Sequence, residues 1–141
     1  CRARAAGDPA RFPVKAAKPP RPQRRGRAFW IVRDDAVWLV RRPARGMLGG
    51  MRALPDDGWT ARRDGDGVAP VPGDGRSAGT VRHVFTHAEL LLDVIVCAAG
   101  GEPAGDGEWW PLARLDEAGL PTLFARAAAV AQRAIAQGLP A

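Results

Sequence analysis

Four groups of side chains in this 141-residue chain could do chemistry: two histidines, two cysteines, aspartates set among glycines, and a basic run near the N-terminus. His83 and His87 bracket three residues in the string HVFTH. An imidazole can ligate a metal, move a proton or bond a phosphate. Strand alternation gives HVFTH an equally simple reading, with Val84 and Thr86 on one face and His83, Phe85 and His87 on the other. Cys1 and Cys97 are too few for a disulfide scaffold or a self-contained metal site. Asp56, Asp57, Asp64 and Asp66 lie among glycines, where carboxylates usually form turns. No Ser/His/Asp set has persuasive spacing, and no glycine-rich phosphate loop is followed by lysine.

The positive charge is unevenly placed. The chain carries a net +6, yet residues 1–27 hold nine basic side chains against the single acid Asp8, while residues 28–141 hold twelve arginines against fourteen acids. The stretch KAAKPPRPQRRG (15–26) has proline at 19, 20 and 22 and no apolar period. It reads as an extended, partly polyproline connector. Such a strap can lie along a phosphate backbone, with Arg21, Arg24 and Arg25 as the contacts. A solvated linker is the equal alternative.

The elements that must position these groups begin at Arg27. RAFWIVR and AVWLVRR read as antiparallel strands joined by a tight turn at Asp34-Asp35. Gly46, Gly49 and Gly50 punctuate a loop leading to a short strand near Met51–Leu54. Residues 56–79 read as a mobile, turn-rich excursion around Trp59. TVRHVFTH and AELLLDVIVCAA are two further strands, the second apolar on both faces and therefore central. EWWPL is a last short strand. Leu123, Phe124, Ala127, Val130, Ala131, Ala134 and Ile135 recur at helical spacing from about Thr122 to Gln137, with Gly138 as the stop. Two hairpins with a helix packed on them make an α+β domain. The apolar share of 46% and charged share of 26% are those of a globular chain. No apolar run approaches the ~20 residues of a spanning helix. The chain opens with neither a signal peptide nor Met, so the expectation is a piece of a longer cytoplasmic protein, monomeric and away from membranes.

The loop RGMLGGMRALP resembles the segment that precedes the catalytic helix of Nudix hydrolases. Those enzymes need several Glu on one helix turn to hold divalent cations on a diphosphate. Here the chain runs instead into DDGWTARRDGDG, which disfavours a nucleotide pyrophosphatase.

Taken jointly, Cys1, FPVK (12–15), the Lys/Arg/Pro strap, RGRAFWIV, VWLVRRPARGMLGGM, VRHVFTH and GLPTLF resemble the C-terminal third of MutY-type adenine DNA glycosylases. In that family a helical domain excises adenine opposite 8-oxoguanine, a four-cysteine iron–sulfur loop follows, and a Nudix-like domain inspects the lesion. The resemblance implies a Nudix-like α+β domain over 27–141, a small mixed or antiparallel sheet with a C-terminal helix. It implies a linker over 12–26 and the tail of the cluster loop over 1–11. It makes Cys1 the last ligand of a 4Fe-4S cluster whose other three lie upstream. The DNA partner is a duplex containing 8-oxoguanine:adenine, read by Phe85, Thr86 and His87. Ala88 stands where relatives often carry an aromatic residue. His83 is left to packing, and Cys97 to the core as a small apolar residue.

The chemistry of that loop fits the resemblance. Guanine offers acceptors N7 and O6 on its major-groove edge. Oxidation at C8 turns N7 into an N–H donor and adds a carbonyl beside it. A hydroxyl both donates and accepts, so Thr86 Oγ1 can accept from the new N–H while the Thr86 backbone N–H donates to the new carbonyl. Phe85 would supply an apolar wedge, and His87 a phosphate contact or a brace. Two rival classes remain: a free-standing nucleotide hydrolase, and a protein-interaction domain whose basic strap docks an acidic partner.

The resemblance places the glycosylase carboxylates upstream, and a 4Fe-4S cluster needs four thiolates. Purified residues 1–141 should therefore release no adenine from a lesion duplex and show no broad visible absorbance; base release by this chain alone would overturn the domain assignment.

Overall fold

A computed structural model of the chain describes residues 21–42, 48–71, 75–98 and 101–139. Cys1, the segments 1–11 and 12–20, and Gly46 lie outside the described residues. The described chain is α+β, as expected. Its strands are β1 (Gln23–Arg33), β2 (Ala36–Arg41), β3 (Arg52–Ala53), β4 (Arg76–Val84), β5 (Glu89–Ala98) and β6 (Glu108–Pro111), followed by a short 3₁₀ helix (Leu112–Glu117) and α1 (Thr122–Ala136). The mixed sheet runs β3-β2-β1-β5-β4, with β6 also paired to β2.

Both expected hairpins form. Asp34 and Asp35 have φ of 50° and 63°, the left-handed pair that a two-residue hairpin turn demands and that Asp tolerates. β4 and β5 pair antiparallel from Val84↔Glu89 to Arg76↔Val96. The two hairpins join through a parallel ladder, in which β1 pairs with β5 over ten positions from Gln23↔Glu89 to Val32↔Ala98. β5 is therefore internal, which its two apolar faces require. Leu90, Leu92, Val94 and Val96 meet α1 residues Leu123, Phe124, Ala127 and Ala131 on one face. Ile95 and Cys97 join Phe29, Ile31, Trp38 and Val71 on the other. Burial pushes the Cys97 thiol up from its ordinary value, in keeping with its place among apolar side chains.

Two boundaries differ from the sequence expectation. β1 begins at Gln23, so residues 23–26, expected in the connector, are strand; the parallel partner supplies their backbone bonds. β4 begins at Arg76 and crosses a bulge between Ser77 and Gly79, where Gly79 has φ 146°. The excursion thus ends before Arg76, and residues 57–67 within it are tied along β1. Asp57 Oδ1 accepts from the Arg27 N–H at 3.0 Å and Oδ2 from the Gly67 N–H at 2.9 Å. Gly65 N–H donates to the Arg25 carbonyl at 2.8 Å, and Asp64 Oδ1 accepts from the Arg25 N–H at 2.9 Å. Asp56 and Asp66 do form the expected turns, each accepting from an N–H two residues on.

Trp59, at the centre of the excursion, is 1% exposed. It lies so close to β1 that a Cβ at Gly26 would stand 2.4 Å from its Cδ1. Gly26→Ala should therefore destabilise the fold by about 1–3 kcal/mol, the usual cost of overpacking. Denaturant melts should show it as a lowered midpoint with unchanged slope; an unchanged midpoint would mean that Trp59 does not press on β1.

Candidate nucleic-acid interface

Phe85–Ala88 form the turn between β4 and β5. The Phe85 N–H donates to the Ala88 carbonyl at 2.7 Å, closing it. The chain before β1 holds the turn from the side: Glu89 N–H donates to the Pro22 carbonyl at 2.9 Å, and Arg21 Nε donates to the Thr86 carbonyl at 3.2 Å. Ala88 is buried. Thr86 and His87 are exposed at the tip, and Phe85 is half-buried beneath them.

The Phe85 ring rests on two partners. Its centroid lies 6.1 Å from the Trp59 ring and 4.7 Å, edge-on, from His83. Trp59 is held in turn by the Arg42 guanidinium, 4.6 Å over its ring. Arg42 Nη1 also donates to Asp56 Oδ2 at 2.5 Å. Burial pushes the Asp56 carboxyl above its ordinary 3.8, against the Gly58 N–H and the Arg42 charge, which favour the ionised form. Glu89, beside the tip, bonds Gln23 Nε2 at 2.9 Å and pairs with Arg82. The Gln23 amide first, then Arg82, hold its carboxyl below the usual range. The His83 ring is held below 6.5, first by burial and second by the Arg126 charge.

The structure brings Phe85, Thr86 and His87 together at one tip and adds Arg21 to it. Arg24 points toward the excursion, its Nε donating to the Ala61 carbonyl at 3.1 Å. Arg25 turns to the opposite sheet face, where it lines a cavity of about 350 Å³ with Arg27, Thr80 and Asp93. Strand alternation thus divides the three arginines of the strap, and they do not form one stripe. Among the described residues, no three His, Cys, Asp or Glu side chains gather as a metal site would need. Trp59 and Arg42 are the supports that sequence reasoning missed. A lone Trp among glycines and acids was the available signal, since so large an apolar ring seldom stays in solvent.

A mixed sheet backed by a C-terminal helix defines the class. Residues 27–129 match the family described as NUDIX domain, and the chain belongs to that family. Among solved structures it is similar to a MutT NUDIX hydrolase from Burkholderia pseudomallei, at 21% identity and TM-score 0.58, covering 74% of this chain and 95% of that one. It is similar to the C-terminal domain of mouse MUTYH, solved with human PCNA, at 16% identity and TM-score 0.57, covering 83% and 92%. The NUDIX domain of Shewanella oneidensis NrtR, solved with ADP ribose, has 15% identity and TM-score 0.57 over 86% and 93%. Comparison with curated protein sequences returns no match. No helix among the described residues is long and apolar enough to cross a membrane.

Because His83 is held neutral by burial and by Arg126, its contribution to stability is present above about pH 6.5 and falls as the pH drops through that value toward the folded-state pKa. Arg126→Gln should raise the His83 pKa part of the way, leaving it below 6.5 because burial is the larger cause. Proton NMR titration of the ring checks this; an unmoved pKa would remove Arg126 from the account.

Proposed function

We propose that this chain is the lesion-recognition portion of an adenine DNA glycosylase, and that the Phe85–His87 tip reads 8-oxoguanine opposite the adenine to be excised. The observation that carries the reading is the state of Thr86. Its carbonyl is tied to Arg21, while its hydroxyl and N–H have no partner among the described residues. One side of the residue is fixed and the donor–acceptor pair that oxidised guanine calls for is left free. Phe85 beneath it has an aromatic floor in Trp59, which supports an apolar wedge against the base. The likeness to the MUTYH C-terminal domain is in keeping with this reading.

In this reading Cys1 contributes one thiolate to a 4Fe-4S cluster. The chain has two cysteines, and Cys97 is buried in the sheet, so these residues do not by themselves fit a cluster and no step is routed through one. The aspartates that could have served a nucleotide hydrolase are committed: Asp56 to Arg42 and Gly58, Asp57 to Arg27 and Gly67, Asp64 to Arg25, and Asp66 to Val68. Magnesium-dependent release of phosphate or pyrophosphate from nucleotides would nevertheless favour the hydrolase that other members of the fold represent.

Thr86→Val keeps the branched shape and removes the hydroxyl. The preference for an 8-oxoguanine:adenine duplex over an undamaged one should fall by ~1–3 kcal/mol, the worth of one specific base contact. Thr86→Ser should keep most of it. A lesion-to-normal affinity ratio equal to wild type in the Val variant, at fixed salt, would return HVFTH to plain packing.

A further inference from the structure

The turn that follows Trp59 is built more firmly than its exposure requires. Thr60 N–H donates to the Arg63 carbonyl at 3.0 Å. Thr60 Oγ1 accepts from the N–H groups of Arg62 and Arg63, both at 3.1 Å. Arg24 Nε holds the Ala61 carbonyl between them. Trp59, one residue earlier, is buried against Gly26 and faces Phe85. The turn is thereby fixed relative to the hairpin tip through two routes, the β1 end and the Trp59–Phe85 contact.

Two arginines project from this fixed base. Arg62 and Arg63 are exposed, and their guanidinium groups form no ion pair or hydrogen bond among the described residues. The neighbouring acids are occupied. Asp64 is turned to the Arg25 N–H, Asp56 to Arg42, and Glu89 to Gln23 and Arg82. The result is a pair of unneutralised planar forks on a rigid turn that directly follows Trp59, the ring in contact with Phe85. Guanidinium forks match phosphate geometry, and basic groups flanking an aromatic reader are the pattern of nucleic-acid recognition.

We propose that the Thr60–Arg63 turn is a phosphodiester-binding element, Arg62 and Arg63 gripping the sugar–phosphate backbone that flanks the base faced by Phe85–His87. This rests on the DNA-reading function above. The turn sets position and affinity and carries no sequence or lesion information, as phosphate contacts do.

The test measures the whole chain against an 8-oxoguanine:adenine duplex and an undamaged duplex, by anisotropy between about 50 and 200 mM salt. The variants are R62Q/R63Q, R62K/R63K, and the control R76Q/R133Q, which removes equal charge at the far end of β4 and the last turn of α1. Melting of each variant confirms folding. R62Q/R63Q should reduce the salt slope by about 1.8, at ~0.9 per phosphate contact, and weaken both duplexes equally. R62K/R63K should keep the slope, and the control should keep it too. An unchanged slope in R62Q/R63Q, or an equal loss in the control, overturns the proposal while leaving lesion reading intact. A flattened slope in a chain that shows no lesion preference supports the turn as a phosphate site and removes the lesion reading. A wild-type chain that binds neither duplex overturns both, and binding of acidic peptides in place of DNA does the same.

Discussion

Asp57 is 6% exposed, the one charged residue in the buried set of the described residues. Taking a carboxylate out of water is costly unless hydrogen bonds replace its hydration. Here the backbone N–H groups of Arg27 and Gly67 do so, and hydrogen bonds to a charged acceptor contribute about 1.5–3 kcal/mol each. The Asp57 main chain is tied as well, its N–H to the Arg27 carbonyl and its carbonyl to the Asp66 N–H. Gly65 is required beside it, because a Cβ there would lie 1.9 Å from Asp57 Oδ1. One side chain thus fastens the 56–67 segment along β1. Removing it would take away the tie between the two ends of this segment and β1, leaving Trp59 packing, the Asp56–Arg42 pair and the bonds to Arg24 and Arg25 to hold it.

That fastening positions the interface. With Asp57 anchored on Arg27, Trp59 falls over Gly26, and the Trp59 ring lies under Phe85. The same length of β1 pairs with the start of β5 and, just before Gln23, holds the hairpin tip through Pro22 and Arg21. The N-terminal third of β1 is therefore a common mount for the Phe85–Ala88 hairpin tip and for the excursion that floors it. A strand whose inward side chain is a glycine looks weak by propensity. Here the missing side chain is what admits the indole.

Local chemistry was legible in the sequence and long-range pairing was not. The Asp34-Asp35 turn, the two-faced β5 and the apolar stripe of α1 all follow from neighbours within a few residues, and each is found. Even so, Val130, Ala134 and Ile135 are only partly buried, while Ala128, outside the expected stripe, is buried, because the sheet beneath the helix decides how wide the covered face is. Gln23, Arg24 and Arg25 look like connector because their strand character comes from β5, more than sixty residues away. Asp57 and Asp64 look like their neighbours Asp56 and Asp66, yet the latter pair close local turns while the former reach across to β1. Nothing within the string DDGWTARRDGDG separates the two roles. The tip residues were legible as a group; their supports, Trp59 and Arg42, depend on those cross-chain bonds and were not.

The acidic residues of the excursion bear on how one fold can host different chemistries. Proteins named as hydrolases and the MUTYH C-terminal domain superpose on this sheet about equally well, so the fold alone does not discriminate between them. The discriminating segment is the one after Leu54. A metal-dependent hydrolase needs carboxylates free to face cations from one helix turn. Here residues 56–71 form no helix, and their carboxylates face backbone N–H groups and one arginine. A carboxylate that satisfies buried donors cannot also hold a cation without breaking the bonds that keep its segment in place. In this chain the acids of the excursion help to place an aromatic floor under Phe85, and Thr86 and His87 stand exposed at the tip above it.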